Sequence, residues 1–244
     1  MNELDLRLAA CEGESCDDLL HGEMKLIQRV DGYRYSADAL LLSAFALPLC
    51  RGARALDLGT GSGVIALILA RRGRPASVTG VETQPGLADL ARRNAALNKT
   101  RPRVKIIEAD VLSCPFPAAS FDLVVSNPPF QPAGSGPINP DPERAIARHE
   151  IRMTLPEWLE VCRYALAPEG AALIVHPADQ EKRLRDAANH AGFHLRRFQR
   201  ALDHPGGRPR LLLYDFRAEP GPVENLADIP IENEQGKFAI DGHR

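Results

Sequence analysis

Ala55-Leu56-Asp57-Leu58-Gly59-Thr60-Gly61-Ser62-Gly63-Val64-Ile65-Ala66-Leu67 is a short apolar run that breaks into three alternating glycines and then resumes at helical spacing. The pattern predicts strand, tight turn and helix. Gly59 and Gly61 can take torsions closed to other residues and let the backbone approach a ligand, while Gly63 allows the helix to start near the strand. The first amides of such a helix have no partner inside it and face whatever the loop holds. Nicotinamide and flavin enzymes use a close relative of this loop. Two details differ from a dinucleotide fingerprint. Asp57 puts a carboxylate where it would repel a pyrophosphate and attract a cation, and the third glycine follows after one residue rather than two.

Downstream of the loop, Val64 to Arg71 reads as helix and Ser77 to Glu82 as a buried strand ending in a carboxylate. Glu82 follows Gly63 by about 20 residues, the spacing at which an acceptor-only side chain can take both hydroxyls of a ribose. This supports a nucleoside ligand without choosing between candidates. Pro85 to Leu97 carries Leu87, Leu90, Ala91, Asn94 and Leu97 on one helical stripe, and Val104 to Asp110 is a third strand. Phe121 to Ser126 is a fourth strand, and it runs directly into Asn127-Pro128-Pro129-Phe130. Two successive prolines remove two backbone donors and fix two φ angles, so the turn is stiff. It lies at the carboxyl end of a central strand, where open α/β sheets bind ligands.

The rest of the chain completes an alternating pattern. A helix over Leu155–Leu166, closed by Pro168 and Gly170, precedes a strand at Ala171–His176 and a helix at Asp179–Ala191. Two antiparallel strands at 192–198 and 210–216 follow, and the segment between them carries Arg208 and Arg210. Upstream, residues 1–22 lack periodicity and read as loop. Asp31-Gly32 between Lys25–Gln28 and Gly32–Tyr35 predicts a small hairpin, and Ser36 caps a helix from Ala37 to about Leu47, ended by Pro48. The expected organisation is an N-terminal extension over 1–50, an α/β domain over 51–218 and a peripheral tail over 219–244.

Composition narrows the function classes. With 244 residues and a net charge of −2, the chain has no global field that would attract nucleic acid indiscriminately, so any such contact has to be local. The apolar stretch Ala37–Cys50 is interrupted and too short to span a bilayer. The acidic start, Met1 to Asp5, lacks a basic leader, and a cytoplasmic location is expected. The five cysteines are scattered without a C-x-x-C pair, which predicts reduced thiols and no metal site.

The glycine loop with its preceding Asp57 resembles the first motif of class I S-adenosylmethionine (SAM) methyltransferases, whose ligand carries an ammonium and a sulfonium and no phosphate. The Asn127–Phe130 turn resembles the catalytic motif of amino-group methyltransferases acting on adenine, guanine or glutamine. Together the motifs and element order resemble a Rossmann-like seven-stranded methyltransferase sheet over nearly the whole chain. Tyr33–Leu42, Asn127–Phe130 and Arg148-His149-Glu150 are most similar to bacterial tRNA adenine methyltransferases that modify an anticodon-loop adenine of a valine tRNA.

The resemblance implies SAM as cofactor, held by Tyr35, Asp38, Asp57, Gly59, Thr60, Gly61, Gly63, Glu82, Thr83, Asp110 and Asn127. It implies a catalytic turn of Asn127, Pro128, Pro129 and Phe130, with Phe130, Arg144 and Arg148 facing a tRNA substrate, and a structural role for His149. Three other readings stay open. Release-factor glutamine methyltransferases use a similar turn but carry a longer helical N-terminal domain. Guanine methylation of ribosomal RNA fits the turn, though many such enzymes carry a duplicated domain. A non-catalytic SAM-binding module is the third. Oligomeric state is not legible.

Overall fold

A two-stranded antiparallel hairpin, β1 (Glu14–Leu19) and β2 (Met24–Arg29), opens the described part of the chain, followed by α1 (Ala37–Cys50). The computed structural model describes residues 10–32, 34–113, 115–128 and 153–232. The hairpin is not where the Asp31-Gly32 signal puts it. Its turn uses Leu20, His21 and Gly22, all at positive φ, and two of those three residue types do not announce such a turn. Residues 14–19, expected as loop, form a strand whose polar side chains are satisfied sideways. Asp17 Oδ2 accepts from Gln28 Nε2 at 3.0 Å and from Arg34 Nη2 at 2.6 Å. Helix α1 continues through Pro48 to Cys50, since a proline in the last turn removes one bond and leaves the buried Cys50 to anchor the end.

The central unit alternates as expected. β3 (Arg54–Leu58) leads through the glycine loop into α2 (Val64–Ile68), which widens into a π-type turn over Leu69–Gly73. β4 (Ser77–Glu82), α3 (Pro85–Leu97), β5 (Val104–Glu108) and β6 (Phe121–Ser126) follow, then α4 (Leu155–Ala165) and β7 (Leu166–Pro177). α5 (Glu181–His190), β8 (His194–Leu202), β9 (Pro209–Arg217), β10 (Glu224–Asn225) and β11 (Ile229–Pro230) complete the chain. β7 begins where α4 ends. The expected breakers Pro168 and Gly170 instead lie inside an irregular start to the strand, opposite a register shift in β6. A Cβ at Gly170 would sit 3.2 Å from the Asp122 carbonyl, so the glycine lets the two strands close up there.

The sheet order is β10-β8-β9-β7-β6-β3-β4-β5, with β11 also on β8. β3 to β7 are parallel, and β9 runs antiparallel between β7 and β8. The seven long strands are those expected of a Rossmann-like methyltransferase sheet. The two extra pairings come from the segment beyond 218, where β10 and β11 add short parallel strands to β8. Alternation divides the core. Ala55, Leu123, Val125 and Leu173 pack with α1 and α2 on one face, while Leu56, Leu58, Val124 and Ile174 pack with α4 and α5 on the other. Both faces are covered, so β3 is buried from Ala55 to Leu58, and the open ground for a ligand lies at the ends of the strands.

Candidate active site

The carboxyl ends of β3 and β6 meet in a cleft lined by Tyr35, Ala39, Gly59, Thr60, Gly61, Ser62, Val64, Ile65 and Asn127. Gly59, Gly61 and Gly63 have φ of +71°, +56° and +91°, which a side chain would strain. The amides of Gly59 and Thr60 both donate to the Val81 carbonyl, at 2.9 and 3.0 Å, fastening the loop to β4. Three glycines make room for protein neighbours. A Cβ at Gly59 would lie 2.9 Å from Trp158 Cη2, at Gly63 it would lie 3.3 Å from Ala91 Cα of α3, and at Gly80 it would lie 2.9 Å from Thr60 Oγ1. Trp158, which sequence reasoning passed over, therefore backs the loop, with its Nε1 buried and unpartnered among the described residues.

The carboxylates expected at the cofactor stand around the cleft, and none is among the residues that line it. Asp57 is fully buried beneath the loop, its Oδ2 accepting from Thr60 Oγ1 (2.6 Å) and from the Ala66 amide (3.1 Å). Burial pushes its carboxyl up to about 7, against those two hydrogen bonds and with a small contribution from the charge of Glu82. It shapes the loop rather than lining the cleft. Glu82, 5% exposed at the end of β4, accepts from the Gly61 amide through Oε2 and from the Gln84 amide through Oε1, both at 2.9 Å. Thr83 follows it, half-buried. Asp110 is exposed beyond β5, and its Oδ1 accepts from the Leu112 amide at 3.0 Å. Asp38 sits in the first turn of α1, its carboxyl raised mainly by burial, with Ser36 and Arg210 acting in the opposite sense. Ser36 stands at the N-cap position, but its side chain makes no capping bond.

Asn127 supplies the cleft's unmet demand. Its Oδ1 is buried and has no hydrogen-bond partner among the described residues. A buried acceptor left unpaired costs about 1–3 kcal/mol, so a donor arriving there is favoured. Pro128 is buried beside it. Pro129, Phe130, Arg144, Arg148 and His149 lie outside the described residues.

Two braces run from the cleft into the hairpin. Asn94, fully buried on the apolar stripe of α3, accepts from the Ile27 amide (2.7 Å), and its Nδ2 donates to the carbonyls of Ile27 and Ser62, both at 3.0 Å. Asn98, one turn on, makes the same pair of bonds to the Lys25 amide (2.9 Å) and carbonyl (2.7 Å). The two carboxamides thus pair with the edge of β2 as a neighbouring strand would. Gln28, 1% exposed, accepts from the Tyr35 amide at 3.1 Å and so holds the far wall of the cleft. A polar residue on an apolar stripe was the available signal for Asn94. Nothing local in the sequence marks Gln28.

A methyltransferase small domain model matches residues 34–139. A tRNA1(Val) (adenine(37)-N6)-methyltransferase of Porphyromonas gingivalis is 37% identical over 193 residues, spanning 75% of this chain and 74% of the relative. One from Bacteroides thetaiotaomicron is 34% identical over 185 residues, spanning 75% of this chain and 76% of the relative. The chain belongs to this methyltransferase family. A predicted O-methyltransferase from Agrobacterium tumefaciens superposes with a TM-score of 0.62 at 19% identity, covering 83% of this chain and 91% of that one, which shows the shared fold. A methyltransferase of this family and fold takes its methyl group from SAM, and the cleft suits such a ligand. Positive-φ glycines bring backbone close to the cleft, and no basic residue is among the described residues that line it. No helix among the described residues is long and apolar enough to cross a membrane.

Proposed function

We propose that the protein transfers a methyl group from SAM to the 6-amino group of an adenine in the anticodon loop of a valine tRNA. The observation that carries this reading is the buried Asn127 Oδ1, unpartnered among the described residues, in the same cleft as the glycine loop. SAM, when bound, supplies an electrophilic methyl group on its sulfonium. An adenine amino nitrogen is a poor nucleophile because its lone pair is delocalised into the ring. Asn127 Oδ1 accepts one amino hydrogen and the Pro128 carbonyl another, which draws the nitrogen toward a tetrahedral shape with its lone pair directed at the methyl group. Both acceptors interact better as positive charge grows on nitrogen, so they stabilise the transition state more than the ground state. The base has to leave its stack to reach them, and Phe130 is the aromatic surface we assign to receive it. Gly59, Gly61, Glu82 and Asp110 hold the cofactor, with Asp57 and Trp158 supporting the loop from behind.

The test is incubation of the purified chain with methyl-labelled SAM and total tRNA, followed by nucleoside mapping. Label in N6-methyladenosine of a valine tRNA is the expected result. Label in release factor or ribosomal RNA with tRNA left unlabelled would overturn the reading.

A further inference from the structure

The amino ends of the strands, opposite the cleft, carry a strip of cations without ion-pair partners among the described residues. Arg51, Arg74, Lys99, Arg101 and Arg103 stand on the loops that lead into β3, β4 and β5. Those loops are laced side by side. The Gly52 amide donates to the Arg74 carbonyl (3.1 Å), Ala76 to Ala53 (2.9 Å), Val78 to Arg103 (2.7 Å) and Arg103 to Thr100 (2.8 Å). All five residues are exposed, and none forms an ion pair among the described residues. Two nearby acids are already engaged. Asp122 accepts from Arg54 Nε (3.0 Å) and Nη2 (2.8 Å), and Glu23 is held by Arg72 at 2.7 Å and Arg71 at 3.4 Å. In a chain whose net charge is −2, this is a local excess of positive charge that repels itself until an anion covers it.

The backbone adds a second, independent observation. Arg74 and Lys99 hold φ of +52° and +56° just past the ends of the π-type turn and α3, positions that glycine fills without strain. A cation near a helix C-terminus gains from the dipole, but that gain does not need the residue that must be strained, and Arg101 and Arg103 stand outside any helix. Strained non-glycine residues that persist point toward a use for their side chains.

We infer that this strip binds phosphates of the substrate RNA at a distance from the reacting base, an inference that rests on the tRNA reading above. Strands of five or six residues put about 17–20 Å between strip and cleft, so only a folded RNA body reaches both. Guanidinium forks match phosphate oxygens, and the contact positions the RNA without reading sequence.

The test compares full-length valine tRNA with its isolated anticodon stem-loop. The triple variant Arg74→Ala/Arg101→Ala/Arg103→Ala should raise KM for the full tRNA at least tenfold, with kcat, SAM affinity and stem-loop KM near wild type. Its log K against log salt slope should fall by about 2 to 3. A second variant, Arg74→Gly/Lys99→Gly, should bind full tRNA more weakly while melting at a higher temperature, a combination that a merely structural role would not give. Unchanged affinity for full tRNA in both variants overturns the inference, as does an equal loss on the stem-loop. A wild-type chain that methylates neither RNA overturns the tRNA reading and this inference with it.

Discussion

The glycine loop and the Asn127 turn form two walls of one cleft, yet they are built in opposite ways. Around the loop most polar groups are answered from within the protein, the buried Asp57 Oδ1 and Trp158 Nε1 behind it being the exceptions among the described residues. Val81 takes two of its amides, Glu82 takes a third, Asp57 holds Thr60 and the start of α2, and Asn94 holds Ser62. At the turn, the buried carboxamide oxygen that faces the cleft has no partner among the described residues. On the function proposed above, the difference separates binding from chemistry. A cofactor wall gains from being prebuilt, because less ordering is left for the ligand to drive. A catalytic acceptor gains from being unmatched until positive charge develops in front of it.

If this contrast holds, the largest single effect belongs to the turn. Asn127→Ala should lower the methyl-transfer rate on the order of a hundredfold or more, the range for losing one preorganised transition-state partner, with SAM affinity near wild type. Single-turnover kinetics at saturating SAM measure it, and near-normal transfer would show that the turn is only structural. Glu82→Ala attacks the other wall. It should weaken SAM binding by about 1–3 kcal/mol, the cost of stranding buried partners, and calorimetry should show the loss in Kd rather than in the single-turnover rate.

Most of this architecture is legible in the residues themselves. Alternating apolar runs and helical stripes specify β3 to β6 and the helices between them, and the glycine loop and Glu82 locate the cleft. The misplaced hairpin shows where that legibility stops. β1 is stabilised by Asp17, Gln28 and Arg34 reaching across space, and its turn places Leu20 and His21 at positive φ, so neither periodicity nor turn chemistry reveals it. Trp158 illustrates the same boundary. Its stripe position on α4 reads as core, and only the folded chain brings it 2.9 Å from a Cβ that Gly59 lacks.

Asp57 offers a subtler probe of the prebuilt wall. Its carboxyl is raised by burial, so the folded protein holds a proton there that the unfolded chain releases near pH 4. Folding stability should therefore fall, on this group's account, as pH rises from about 4 to about 7. The lowered carboxyls of Glu14, Asp17 and Asp122 act in a separate window, costing stability as pH falls below about 4. Denaturant titrations across both windows should show the slope between 4 and 7 flatten in Asp57→Asn and the acid limb persist.

The smallest effect we expect is the most discriminating for the brace. Asn94 and Asn98 make matching bonds to alternate residues of β2, but only Asn94 also donates to Ser62 in the cofactor loop. Both alanine variants should loosen the hairpin and lower the melting temperature. Only Asn94→Ala should also raise KM for SAM, by about threefold to tenfold, since a net hydrogen bond is worth about 0.5–1.5 kcal/mol, while kcat at saturating SAM stays near wild type. Asn98→Ala serves as the internal control, because it breaks the same kind of contact one turn away from the loop. Equal SAM constants in the two variants would mean that the loop keeps its shape without Asn94, and that its rigidity comes from β4 and Asp57 alone.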